Sequence, residues 1–354
     1  MVHSFVYEAM PARVIFATLS AALLTEEMAR IGMKRPIVLA TPLQEPQARE
    51  IAAMLDEKSV GVFAGAVMHT PVEITEKALS IVREAKADGV VAIGGGSTTG
   101  LSKAIALRTD LPQLVIPTTY AGSEMTPILG ETANGVKRTQ TTRKVLPETV
   151  IYDVELTLGL PPALSAASGL NAIAHAVEAM YARDRNPIVS MMAEEGIRSL
   201  FAALPLIVKK PSDLAARSDA LYGAWLCGVC LGSVGMALHH KLCHTLGGTF
   251  NLPHAETHAI VLPHALAYNT STVSDIVERL ARALGTGVPA SKIYQLSNEL
   301  GIGGGLRTLG MPEDGIDQAA DLAIMSPYWN PRPIERDAVR ELIARAWAGE
   351  PPRP

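Results

Sequence analysis

Histidine is the residue type whose distribution in this 354-residue chain departs furthest from chance. Six of the nine, His239, His240, His244, His254, His258 and His264, lie between residues 239 and 264. An imidazole titrates near neutrality and offers two ring nitrogens. A convergent group of them suits either a divalent metal or acids and hydrogen-bond donors facing a developing oxyanion. Spacing decides which can converge. His240 and His244 stand four apart on a helix expected to end at Gly247-Gly248, so they share a face. His254 and His258 repeat the spacing after Pro253, a good helix-start residue, and Asn171 with His175 forms a third such pair after Ser168-Gly169. His175, His240, His244, His254 and His258 are therefore the candidates for one catalytic pocket. His239 points about 100° from His240 around a helix. It joins His3, His69 and His264 as ordinary core or surface residues.

A second constellation suits phosphate. The apolar run Val90-Val91-Ala92-Ile93 leads into Gly94-Gly95-Gly96-Ser97-Thr98-Thr99-Gly100 and then an apolar helical stretch, the order strand, glycine-rich turn, helix. Glycines let backbone N–H groups approach a pyrophosphate, and the helix N-terminus adds about half a positive charge. Neither standard fingerprint is matched, because G-x-G-x-x-G requires glycine at Thr99 and a P-loop requires lysine at Leu101. After the next strand, Pro117-Thr118-Thr119-Tyr120-Ala121-Gly122-Ser123 supplies hydroxyls and small residues, so adjacent strand ends present donors to one ligand. The cofactor-binding candidates are Gly94, Gly95, Gly96, Ser97, Thr98, Thr118, Thr119 and Ser123, with Lys137 reaching a phosphate.

Two kinds of element must position these groups. Through residue 152 short β-branched runs at 36–40, 61–64, 89–93, 114–116 and 149–152 alternate with amphipathic stretches at 46–55 and 73–87. That rhythm predicts βαβ units around a parallel sheet. Asn134-Gly135 between two strand-like runs predicts a type I′ hairpin. Beyond the run at 149–152 the texture is helical to the end. We expect an α/β dinucleotide-binding domain over residues 1–160 and an all-helical catalytic domain over residues 161–354, parted near Pro161-Pro162.

Composition narrows the function. With 48% hydrophobic and 19% charged residues the chain has ample core for two domains. A net charge of -4, with no run of Lys or Arg beyond two, argues against nucleic acid or an anionic membrane as partner. No apolar run is long enough to span a bilayer. Three cysteines make no disulfide framework and suit a reducing cytoplasm; Cys227 and Cys230 read as helix packing.

Four ordered motifs make the chain resemble the iron-containing alcohol dehydrogenase superfamily from end to end, and within it the branch that reduces maleylacetate. They are the glycine turn, residues 117–127, Gly169-Leu170-Asn171-Ala172-Ile173-Ala174-His175-Ala176-Val177-Glu178, and the stretch from His240 through His244 to Asn251-Leu252-Pro253-His254. The resemblance implies a Rossmann-like domain, a helical domain, a homodimer, and NADH or NADPH as cofactor. Metal-dependent relatives hold an ion with an aspartate and three histidines at positions that match Asn171, His175, His240 and His254. The asparagine departs from that set. At an effective dielectric of about 20, unit charges roughly 4 Å apart interact by about 4 kcal/mol, so a neutral amide forfeits on the order of a thousandfold in metal affinity. The implied enzyme works without metal. It reduces the carbon–carbon double bond of a small dicarboxylate, maleylacetate or a substituted form of it, to 3-oxoadipate in aromatic-compound degradation, with the histidines replacing a Lewis acid. The alternative is an iron- or zinc-dependent alcohol or polyol dehydrogenase of the same fold. Thr41-Pro42 after the strand at 36–40 offers no carboxylate for the ribose, which leaves NADH and NADPH both open.

Overall fold

The β-branched runs pair side by side because their residues are apolar on both faces and have nowhere else to be buried. In the computed structural model, which describes residues 5–10, 12–325 and 327–354 and every side chain among them except those of Val136 and Lys137, six strands form one parallel sheet. The strands are β1 (Arg13–Phe16), β2 (Pro36–Leu39), β3 (Gly61–Phe63), β4 (Gly89–Gly94), β5 (Gln113–Pro117) and β8 (Thr149–Tyr152). Their order is β1-β8-β5-β4-β2-β3. Val90, Val91, Ala92 and Ile93 of β4, with Leu114, Val115 and Ile116 of β5, are fully buried, as the centre of such a sheet requires.

Four helices cover the sheet: α1 (Ala21–Arg30), α2 (Glu45–Leu55), α3 (Val72–Glu84) and α4 (Gly96–Thr109). β3 lies outside β2, whereas β4 lies on the other side of β2, so the winding reverses there. Doubly wound sheets take ligands at the carboxyl ends of strands beside such a reversal. β4 is one of those strands, and its carboxyl end carries the glycine turn. Strands β6 (Ile128–Ala133) and β7 (Val136–Thr141) form the separate antiparallel hairpin. Asn134 at φ 51° and Gly135 at φ 75° supply the two positive φ values of a type I′ turn.

The chain divides into two compact units, Ala9–Gly159 and Leu160–Pro354, the latter with residues 5–8. The second is helical: α5 (Pro162–Tyr181), α6 (Pro187–Lys209), α7 (Leu214–Ser233), α8 (Leu238–Phe250), α9 (His254–Asn269), α10 (Ser274–Leu284), α11 (Pro289–Glu299), α12 (Gly315–Ile324) and α13 (Arg336–Ala348). Pro161 and Pro162 are not a bare connector. They are the cap and first residue of α5, where a missing N–H removes no helical bond. Every residue from Ser165 to Tyr181 is buried, so α5 is the central helix of this unit. Cys227 and Cys230 pack in its interior on α7 as free thiols. No single described helix is long and apolar enough to cross a membrane.

Helix α8 runs past its expected stop at Gly247-Gly248 to Phe250, and Asn251 caps it at φ 53°. The reason is packing. Phe250 lies against the core cluster that includes Leu246 and Leu252, and asparagine tolerates the left-handed cap that the glycines were expected to provide.

Candidate active site

The glycine turn is tighter than the sequence suggests. Gly94 closes β4, Gly95 is the cap, and α4 begins at Gly96, so Ser97 and Thr98 already lie in the first helical turn. Gly94 sits at φ 149°, a conformation that side chains resist. Gly95 is required for space, since a Cβ there would lie 2.8 Å from Thr119 Cγ2. The second segment is bound directly to the turn, with Thr118 N donating to Gly94 O at 3.0 Å. Gln44, at the start of α2, donates to the Thr118 hydroxyl at 2.8 Å. Gly96 is exposed, and Ser97, Thr119 and Ser123 are half-buried. Thr98 is buried, its hydroxyl oxygen without a partner in the protein. The first N–H groups of α4 have no intrahelical acceptor. A side-chain-free surface backed by such donors fits the pyrophosphate of a dinucleotide. The backbone of Lys137 lies in β7; its side chain is outside the described residues.

In the helical unit, α5, α8 and α9 bring six imidazoles into one group. His258 is its hub. Its ring lies 4.2 Å from that of His254, 4.9 Å from those of His239 and His240, and 6.4 Å from those of His175 and His244. His175 and His240 stand 5.2 Å apart, centroid to centroid. His175, His239, His240 and His258 are buried, whereas His254 is half-buried and His244 exposed. The group thus has a dry base and a wet rim. At the rim His244 Nδ1 meets the hydroxyl of Tyr328 at 3.1 Å.

Glu178 on α5 holds the base in place. Its carboxylate is fully buried and accepts from Ala237 N at 2.9 Å, His239 N at 2.7 Å and His240 Nδ1 at 2.7 Å. It therefore caps α8 from outside the helix, where a negative charge at the N-terminus is favourable. It also fixes the His240 ring, whose Nε2 is buried without a partner in the protein.

Burial sets the protonation of the base. His175, His239 and His258 are held well below the usual imidazole range, first by burial and then by neighbouring imidazoles. They are neutral at pH 7 and act as hydrogen-bonding groups, not as cations.

The residues fit a metal ion poorly. Of the four positions that match the relatives' ligands, three are imidazoles and the fourth, Asn171, offers a buried, unpaired amide oxygen in place of a carboxylate. Among the described residues the cluster with ligand-like spacing is His239, His240 and His258, one ring nitrogen of each lying within 4.8 Å of the others. There His239 Nε2 and His258 Nδ1 face each other at 3.0 Å and satisfy one another. Glu178, the carboxylate within reach, is committed to α8 and to the His240 ring.

Helical spacing sets His239 aside, and the ligand positions of the resembled family pass over His258; the structure places both in the group. A direction about 100° from His240 is away from one face only, and α9 packs on the other. Glu178 and Tyr328 went unrecognised. A signal for Glu178 was present: it is the single charged residue in the whole of α5. Tyr328 had none, because it reaches His244 across 84 positions of sequence.

Both halves of the chain match a single family. Residues 11–154 match the profile "Iron-containing alcohol dehydrogenase" and residues 165–347 match "Fe-containing alcohol dehydrogenase family, C-terminal". The chain belongs to the iron-containing alcohol dehydrogenase family. Within it, maleylacetate reductase from Sphingobium indicum is 56% identical over 98% of this chain and 99% of its own, and that from Burkholderia cepacia 55% over 99% of each. The crystal structure of maleylacetate reductase from Agrobacterium tumefaciens superimposes with a TM-score of 0.95 at 55% identity, covering 99% of this chain and all of that one.

Proposed function

We propose that the protein is a maleylacetate reductase: it reduces the carbon–carbon double bond of maleylacetate to give 3-oxoadipate, with NADH or NADPH and without a resident metal. The observation that carries this reading is the likeness of 49–56% identity to curated maleylacetate reductases over nearly the whole of both chains. The neutral Asn171 at the position of the relatives' anionic ligand supports the metal-free part. A metal-dependent alcohol dehydrogenase is not favoured.

When bound on the Gly94, Gly95 and Gly96 turn with Ser97, Thr98, Thr118, Thr119 and Ser123, the reduced nicotinamide supplies a hydride to the substrate carbon β to the ketone. Negative charge then develops on the ketone oxygen as an enolate. Neutral, buried imidazoles answer it with hydrogen bonds in a dry setting, where such bonds are strongest. His175 takes this role. Glu178 fixes the His240 ring by accepting from Nδ1, so that Nε2 can donate to the enolate only when both ring nitrogens carry protons.

The α carbon must next take a proton. His244 is assigned this step because it lies on the exposed rim, is oriented by Tyr328, and can regain a proton from solvent. His254, half-buried against His258, lines the pocket beside it. The balance is one hydride and one proton added across the double bond, with the cofactor left oxidised.

The protein is further proposed to act as a cytoplasmic homodimer, consistent with three buried free thiols and with the family resemblance. Steady-state turnover of maleylacetate with each cofactor, on protein assayed for metal, tests the whole reading. Cofactor binding without turnover would overturn the activity. Stoichiometric metal whose removal by a chelator abolishes turnover would overturn the metal-free mechanism.

A further inference from the structure

The helix that starts at the glycine turn carries a buried cation with no part in the chemistry above. Lys103 on α4 is fully buried. Its Nζ lies within hydrogen-bond distance of four oxygens that share its three N–H groups: Ser123 O at 2.6 Å, Thr126 O at 2.7 Å, Thr126 Oγ1 at 2.9 Å and Ile128 O at 2.9 Å. Burial brings its pKa down to about 7, with the Glu124 carboxylate pulling the other way. Lysine is among the residue types least often buried, and a charge removed from water costs far more than an apolar side chain of the same length. A purely space-filling role would suit methionine better.

The bonds accomplish something geometric. Their acceptors lie at the far end of the segment that carries Thr118, Thr119 and Ser123. The near end of that segment is bound to Gly94 O through Thr118 N, and the next residue, Thr119, abuts Gly95. The same loop is anchored a third time, where the Tyr152 hydroxyl of β8 donates to Glu124 Oε1 at 2.8 Å. The Lys103 ammonium is enclosed, so it reaches no ligand itself.

We propose that Lys103 is a positioning residue for the cofactor. By gathering the carbonyls of Ser123, Thr126 and Ile128 onto α4, it holds residues 118–123 against the N-terminus of that helix. Hydroxyls and N–H groups from two separate stretches of chain then form one preformed surface for the dinucleotide. Preorganisation of this kind lowers the ordering cost of binding and affects the chemical step little. The proposal rests on the assignment of the glycine turn as the cofactor site.

The test is Lys103→Met in the full-length enzyme, read by fluorescence titration with NADH and NADPH, by steady-state kinetics, and by a thermal melt. The cofactor Kd is expected to rise by about tenfold or more. The KM for maleylacetate and the kcat at saturating cofactor are expected to stay at wild-type values. A merely structural lysine would lower the melting temperature and leave the Kd of the folded protein unmoved. Thr126→Val, which removes one of the four acceptors, should shift Kd in the same direction by less, and it carries the test should Lys103→Met not fold. A folded variant with wild-type Kd overturns the role of Lys103 alone. Wild-type affinity in Gly95→Val would instead overturn the cofactor site itself, and with it the proposal.

Discussion

The two candidate regions work by opposite means. At the glycine turn the chain removes side chains and lets the backbone act: Gly94 and Gly95 are there for a φ value and for the space beside Thr119. In the helical unit the backbone is taken up by α5, α8 and α9 and by the Glu178 cap of α8, and six imidazoles with one carboxylate supply the chemistry instead. A backbone site tolerates changes of side-chain chemistry and fails on bulk. A side-chain site tolerates modest changes of bulk and fails on chemistry.

The largest expected effect belongs to the side-chain region. His244→Ala should lower kcat by about 10²–10⁴-fold, the usual worth of a general acid, with cofactor Kd unchanged. A kcat within a few-fold of wild type would pass the proton-donor role to another group. Removing Glu178 tests the base of the same region. Glu178→Ala strands the N–H groups of Ala237 and His239 and the His240 ring, and breaking such a buried charged arrangement costs about 3–5 kcal/mol. Chemical denaturation reads this, and a loss under about 1 kcal/mol would mean that α8 is capped by other means. In the backbone region, Gly95→Val should weaken cofactor binding by at least about tenfold, or 1.4 kcal/mol, and leave the histidine group untouched.

Asn171→Asp sharpens the contrast by supplying the missing charge. With an anionic oxygen one helical turn from His175, metal affinity should rise by about three orders of magnitude, from the roughly 4 kcal/mol of a unit charge pair near 4 Å. Elemental analysis after dialysis against zinc or ferrous ion measures it. An unchanged metal content would show that ring geometry, not charge, excludes the ion.

The backbone region was the more legible in sequence, and the reason is physical. Strands buried on both faces must be largely apolar, as β4 is throughout and β5 is from Leu114 onward, and a strained or crowded turn must be glycine. Such constraints act within a few residues and so leave local marks. The histidine group is set by three helices that meet from distant parts of the chain. Helical spacing paired His240 with His244 and His254 with His258, but treated each helix as having one useful face. His239 meets His258 from a second face of α8, and Tyr328 reaches His244 from a loop far along the chain. The end of α8 was misplaced on the same ground, since the packing of Phe250 outweighs the weak stop signal of two glycines.

The last consequence of a side-chain site is its sensitivity to acid. His175, His239 and His258 in the dry base have folded pKa values well below 6.5, and His264 elsewhere in the unit is brought down to about 4 by burial. In the unfolded chain all four protonate near 6.5. Below that pH the unfolded state binds more protons than the folded one, so stability falls as pH falls, by up to about 1.4 kcal/mol per pH unit for each group. Above about pH 7.5 both states carry these rings neutral and the dependence vanishes. The histidine contribution to stability should therefore be constant from pH 7.5 upward, and denaturation midpoints should drop steeply between pH 6.5 and 5. His258→Asn removes one of the titrating rings and should make that drop shallower. A wild-type midpoint that does not move over this interval would mean that the buried imidazoles accept protons in the folded state, and the neutral hydrogen-bonding role assigned to His175 would fall with it.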